Sequence, residues 1–251
     1  MTIDLLRPAW PAPGNVSAVV TTRRGGVSAP PWNGLNLALH VGDDSAAVAA
    51  NRRLLRNVPG LAAEPVWLEQ VHGARVLALD ARPPPDTIAD AAVTRAAGVP
   101  CAVMSADCLP VLFCDRQGTV VAASHAGWRG LAAGVLRNTV AAMAVAPKDI
   151  LAWLGPAIGP RRFEVGPEVM AACVAQAIDE AHRRLVPGCF APAPTPGKLL
   201  ADIYGLARAE LRSLGVDAVF GGGLCTVTDG DNWYSYRRDG VTGRMASLIW
   251  L

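Results

Sequence analysis

Apolar positions gather in short runs rich in Val, Ile and Leu, parted by polar stretches bearing Gly or Pro. Runs of this length predict β-strands at Val16–Thr22, Val66–Leu68, Arg75–Leu79, Cys101–Met104, Val111–Cys114, Val120–Ser124, Ile150–Leu154, Ala218–Phe220 and Met245–Trp250. Helical spacing intervenes between them. Ser45 is placed to cap a helix running to Asn57, and Leu131 to Met143 forms another. Pro167 suits a first helical turn. Beyond it Val169, Met170, Cys173, Val174, Ile178, Ala181 and Leu185 repeat at helical spacing. Asp202 is placed to cap a helix that turns Ile203, Leu206, Ala207, Leu211 and Leu214 inward.

Strands outnumber helices and do not alternate strictly with them. That disfavours a doubly wound sheet and predicts a mixed α+β fold. Arg82–Asp86 and Pro187–Lys198 read as surface loops. Neither separates two composition regimes, and no internal repeat is found, so residues 1–251 read as a single domain.

Composition adds exclusions. The chain has 251 residues, enough for one large domain with a sizeable core. Its formal net charge of +2 gives no case for a nucleic-acid binder. No apolar stretch approaches the roughly twenty residues that cross a membrane. Met1 to Pro13 lacks the basic start and apolar middle of a secretory signal. The six cysteines form no C-x-x-C pair, so zinc ribbons and thioredoxin-type motifs do not apply. Reduced thiols in a cytoplasmic protein are the expectation. Lys148 and Lys198 are the only lysines among 23 basic residues, so any anion site must be built with arginine. The four histidines, His40, His72, His125 and His182, exclude chemistry that needs many imidazoles.

Three segments carry candidate chemistry: Glu69-Gln70-Val71-His72-Gly73, Ser105-Ala106-Asp107-Cys108-Leu109-Pro110, and Ser124-His125-Ala126-Gly127-Trp128-Arg129-Gly130. Each sets a ligand or catalytic side chain beside a strand end, and strand ends converge whatever their separation in sequence. His72, Cys108 and His125 would suit zinc with a position left open. The rival is a Cys108–His125 pair acting as a thiol nucleophile, with Asp107 or Glu69 orienting the histidine. Spacing does not separate the two. Arg129 follows Gly-Trp at a helix start, where amides and a guanidinium make an anion site; an arginine lying over Trp128 is the plainer reading. Thr21 to Ser28 carries Arg23 and Arg24 in a Gly-bearing loop and reads as an ordinary basic turn. Tyr236 to Gly240 reads by itself as a hairpin turn on its Asp-Gly signal.

Longer stretches match a known family. Thr22–Ser28 (TRRGGVS), Asn33–Leu37 (NGLNL), Val66–Gly73 (VWLEQVHG), Ala106–Cys114 (ADCLPVLFC), His125–Gly130 (HAGWRG), Leu154–Val165 (LGPAIGPRRFEV) and Tyr234–Leu251 (YSYRRDGVTGRMASLIWL) follow in order along nearly the whole chain. Together they resemble the YfiH family, described variously as purine nucleoside phosphorylase, polyphenol oxidase with a laccase domain, and peptidoglycan editing factor. The resemblance implies a mixed β-sandwich surrounded by helices and one zinc per chain held by His72, Cys108 and His125. It implies phosphorolysis of adenosine, inosine, guanosine and methylthioadenosine with phosphate as co-substrate, and hydrolytic deamination of adenosine.

On that footing the catalytic candidates are Cys108, His125 and Asp107, and the substrate-binding candidates are Arg23, Arg129 and Arg237. Glu164 is a further acid–base candidate in a strand-edge context. His40 and His182 are expected bystanders, His40 with a position that also suits a pocket wall. The laccase label conflicts with the histidine count. A blue-copper centre alone takes two His and a Cys, and the imidazoles left over do not build a trinuclear cluster, so multicopper oxidation is not expected. A Cys/His hydrolase or amidase acting on peptidoglycan and a non-catalytic binding module are the other classes. No nucleic acid or membrane partner is expected.

Overall fold

A computed structural model describes residues 3–80, 82 and 84–251. Its strands are β1 (Leu5–Leu6), β2 (Ser17–Thr21), β3 (Val76–Leu79), β4 (Ala91–Thr94), β5 (Cys101–Ser105), β6 (Leu109–Asp115), β7 (Val121–Ala126), β8 (Ile150–Leu154), β9 (Glu164–Val165), β10 (Phe190–Pro192), β11 (Leu199–Ala201), β12 (Ala218–Gly221) and β13 (Met245–Trp250). Its α-helices are α1 (Ser45–Leu54), α2 (Trp128–Ala133), α3 (Val135–Met143), α4 (Pro167–Ala175), α5 (Glu180–Leu185), α6 (Ile203–Ser213) and α7 (Tyr236–Asp239). None is long and apolar enough to cross a membrane.

Two sheets form the body, one ordered β12-β8-β6-β7-β4-β3 and one ordered β1-β2-β13-β5. The larger is mixed: β12–β8 and β3–β4 are parallel, and its other pairs are antiparallel. The period-two geometry of strands explains the layering. Val111 and Phe113 of β6 face a cluster with Leu136, Met143, Leu206 and Leu211 of the helices. Leu112 and Cys114, on the opposite face, meet Val20, Val103 and Ile249 of the smaller sheet. On that sheet's outer side Val19, Ala102, Met104, Leu248 and Trp250 pack with Leu35, Leu37 and Leu55. Strands buried on both faces read as continuous apolar runs rather than alternating ones. The architecture is the expected α+β fold, with two stacked sheets and helices outside them.

Local differences from expectation have physical causes. The predicted strand Val66–Leu68 is not one; Leu68 is buried and only Glu69 bridges to Ile88. Strand β4 is not predicted because it is only four residues long and its first two, Ala91 and Ala92, carry weak β preference. Leu131 to Met143 is two helices, broken at Gly134 with φ 91°. Asp44, not Ser45, caps α1 through its acceptor oxygen to Ala46 N. The helical pattern from Val169 to Leu185 divides into α4 and α5, with Asp179 capping the second. Asp202 stands at the start of α6 without a side-chain capping bond. The Pro187–Lys198 loop contains β10, paired with β11. In Arg82–Asp86, Pro83 lies outside the described residues. Tyr236 to Gly240 is not a hairpin turn but the single helical turn α7, capped by Ser235.

Candidate metal centre and its cavity

Three chain segments meet at one end of the stacked sheets. The first is the loop before β3. Gln70 ties it to β5: its Nε2 donates to the Met104 carbonyl (2.8 Å), and its Oε1 accepts from Met104 N (2.7 Å). The carboxylate of Asp90, which is 0% exposed, accepts from Val71 N, His72 N and Gly73 N at 3.1, 2.9 and 2.7 Å. That cradle holds His72 in the left-handed region at φ 60°, a conformation costly for a non-glycine residue.

The second segment is the turn from β5 to β6. Asp107 sits there at φ 88°. Its Oδ1 accepts from Thr226 Oγ1 (2.5 Å), its Oδ2 accepts from Arg237 N (2.6 Å), and its carbonyl accepts from Ile158 N (2.9 Å). The turn so fixed presents Cys108.

The third is the end of β7, carrying His125, 4% exposed. His125 N donates to the Asp90 carbonyl (2.7 Å), and its Nδ1 meets Asp90 Oδ1 at 2.9 Å. With Nδ1 engaged there, Nε2 is left for the cavity. The following glycine is required. A Cβ at Gly127 would lie 2.8 Å from Cys108 Sγ and 3.2 Å from His72 Cδ2.

The ligand atoms of His72, Cys108 and His125 lie within 4.8 Å of one another, and Cys108 Sγ is 3.7 Å from His72 Nε2. Tetrahedral zinc places a thiolate and an imidazole ligand atom roughly 3.5 Å apart, so the Cys108–His72 pair fits. The N, S, N donor set also suits zinc, and a carboxylate behind one imidazole is the usual support of such a ligand. Electrostatics agree with a thiolate ligand. Burial pushes the Cys108 thiol up, but the charge and hydrogen bonds of His125 and His72 outweigh it and hold the thiol below its ordinary range. For His125 burial acts downward, and the Cys108 thiolate with Asp90 reverses it, so without a metal ion the imidazolium is favoured, and a metal ion would have to displace that proton to be bound.

The trio floors a cavity of about 480 Å³, within the size range of small-molecule sites. Arg129 and Arg237 reach it, and both are exposed. Arg129 lies over Trp128, 4.4 Å from the ring centre. Arg237 lies 5.7 Å from the Phe163 ring and donates to the Glu164 carbonyl at 3.0 Å. Asp107 also lines the cavity, with both carboxylate oxygens already engaged.

Arg23 does not come to this cavity, contrary to expectation. It donates to the Gly230 carbonyl and Asn33 Oδ1 and covers the Tyr234 ring, beside a separate surface hollow. Glu164 and Glu69 are likewise outside the lining; Glu164 accepts from Thr195 Oγ1. His40 lines the wall, whereas His182 sits at the start of α5.

Sequence reasoning missed Asp90, Gln70, Thr226 and Arg244. Gln70 lay in a candidate segment and Arg244 in a family motif without a role assigned to either, and Asp90 showed only as a single charge inside the apolar stretch Ile88 to Val93. A charge inside a buried run needs a partner.

Fold and site together define an α+β protein with a candidate three-ligand metal centre in the lining of a cavity of small-molecule size. The chain belongs to the family described as multi-copper polyphenol oxidoreductase laccase, which it matches over residues 17–251. It is 53% identical over 247 residues to "Purine nucleoside phosphorylase YfiH" of Escherichia coli, covering 98% of each chain. It is 54% identical over 246 residues to "Purine nucleoside phosphorylase PA4543" of Pseudomonas aeruginosa, again covering 98% of each. The solved structure of Neisseria meningitidis protein NMB0706 superposes with a TM-score of 0.89 at 52% identity, covering 98% of both chains. The expected family resemblance is borne out.

Proposed function

We propose that the chain is a zinc-dependent purine nucleoside phosphorylase that also deaminates adenosine, and that it works in the cytoplasm as one domain spanning residues 1–251. The convergence of His72, Cys108 and His125 at the floor of a cavity reached by arginines and aromatic rings carries this reading. The curated relatives' names support the phosphorylase part.

His72, Cys108 and His125 would hold the zinc, which supplies Lewis acidity toward a bound oxygen when present. In phosphorolysis a phosphate oxygen bonds to ribose C1′ while the C1′–N9 bond breaks. The electron pair leaves with the base, which takes up a proton. In deamination water adds its oxygen at C6 of adenine and ammonia departs, leaving inosine.

The chain's own residues bind and orient. Asp90 fixes both histidines, and Asp107 fixes the Cys108 turn and the start of α7. Arg129 and Arg237 offer positive charge at the rim, where fixed guanidinium groups stabilise an anionic nucleophile beside a cation-like sugar. The four imidazoles of the chain do not supply a multicopper cluster, so oxidase chemistry is not part of the proposal.

Incubation of the protein with adenosine and phosphate, with products separated by chromatography, tests the reading. Free adenine marks phosphorolysis and inosine marks deamination. A strong chelator should abolish both and added zinc should restore them. Activity that survives chelation but not thiol alkylation would replace this reading with a Cys108 hydrolase. Absence of both products from zinc-loaded protein would point to a binding module.

A further inference from the structure

Arg244 was not among the expected site residues, yet it lines the cavity with the three ligands. Its place follows from strand register. Met245, the first residue of β13, pairs with Ser105, the last of β5, and β5 leads directly into the turn that carries Cys108. Arg244 is therefore carried to the side of that turn by the sheet itself.

Its guanidinium is held in place. The backbone N–H donates to Oδ1 of fully buried Asn36 (2.9 Å), and Nη1 donates to the carbonyls of Thr242 and Gly243, both at 3.0 Å. Among the described residues Nε and Nη2 make no hydrogen bond. Those two atoms form the edge of the guanidinium that grips two oxygens of one anion. The rim arginines are built differently. Arg237, against Phe163, and Arg129, over Trp128, are both exposed, whereas Arg244 is half-buried.

The two walls of the cavity differ in chemistry. Ile158, Phe163 and Ile203 belong to the cluster beneath the helices, and offer an apolar surface to a flat ring. Arg244 stands on the wall of the smaller sheet, beside Met104 and Gln70.

We propose that Arg244 is the phosphate anchor of the site, gripping the anion through Nε and Nη2 beside the Cys108 turn, while the base lies toward Phe163. The assignment rests on the phosphorylase reading above. It deepens that reading by placing the anion on the residue whose orientation the fold holds before any ligand arrives, which lowers the cost of binding.

Steady-state phosphorolysis of inosine by Arg244→Met and Arg244→Lys tests it, with metal content measured alongside. Loss of a charged, two-point contact predicts an apparent KM for phosphate raised about tenfold to a hundredfold in Arg244→Met. The KM for inosine should stay within about twofold, and Arg244→Lys should fall between, since lysine keeps the charge but not the fork. An unchanged phosphate KM, or equal rises for both substrates, overturns the assignment.

A second readout does not need turnover. Inorganic phosphate should raise the thermal midpoint of the unsubstituted protein and not that of Arg244→Met; equal shifts overturn the proposal. If the unsubstituted protein releases no base, the phosphorylase reading falls, and this phosphate-dependent shift still decides the anchor. If Arg244→Met does not fold, Arg244→Lys carries both measurements.

Discussion

Asp90 shows at the scale of one residue how the site is made. Its buried carboxylate takes amides from three successive residues around His72 and the ring of His125, so one charge sets two ligands at once. Asparagine keeps the shape but has one acceptor oxygen and no charge. Asp90→Asn should therefore leave a folded protein whose zinc affinity, measured by metal titration, falls about 10- to 100-fold. Gly127 shows the opposite requirement, for an absent atom. Gly127→Ala puts a methyl 2.8 Å from Cys108 Sγ. Metal content by elemental analysis should collapse while circular dichroism stays close to that of the parent; full retention of zinc would refute the steric argument. His72, Cys108 and His125 were legible because His is scarce and their neighbours mark strand ends. Asp90 was not, because its role depends on atoms from three separate segments.

Elements show where local signals lose to tertiary contacts. The Asp-Gly signal at Asp239-Gly240 pointed to a hairpin, but Ser235 Oγ accepts from Arg238 N, and Arg237 N is claimed by Asp107. Those bonds wind Tyr236–Asp239 into a helical turn. The break between α2 and α3 was missed for another reason. Gly134 at φ 91° lets the chain change direction while apolar spacing continues across it. Gly134→Ala forces an L side chain into that region and should cost roughly 1–2 kcal/mol in denaturant unfolding, with metal content unaltered. Strand β4 is four residues long and half alanine, too short and weak a signal to read, yet it carries the residue after Asp90 into the sheet.

For the whole molecule, pH couples to stability, and the proposed metal would as well. Glu210 on α6 is 4% exposed and, among the described residues, accepts only a long 3.3 Å bond from Arg137 N. Burial pushes its carboxyl up to about 7, against the opposing pull of Arg137. The folded state then binds more protons than the unfolded chain between the ordinary value of 4.5 and about 7, so stability falls as pH rises through that window. The loss is on the order of 3 kcal/mol, at about 1.4 kcal/mol for each pH unit. Glu210→Gln should flatten that slope in unfolding curves taken from pH 5 to pH 8, with the rise in relative stability at the alkaline end. The proposed zinc would act on the same balance. Metal that binds only the folded chain adds about 4 kcal/mol at a thousandfold excess over Kd. A chelator should lower the thermal midpoint and zinc should restore it; an unchanged midpoint would argue against a bound ion.

The amino-acid sequence alone determined the α+β class, most of the central strands, the scarcity of imidazoles and the family motifs. These follow from local periodicity and residue type, which need no knowledge of partners. Tertiary structure alone decided what those residues face. It stacked two sheets so that alternate positions of β6 and β5 serve different cores. It brought Asp90 behind two histidines and carried Arg244 to the Cys108 turn by strand pairing. It also left Arg23, whose motif is as conspicuous as the others, at a separate hollow. Convergence depends on sheet order and register, and these are set by contacts between residues far apart along the chain.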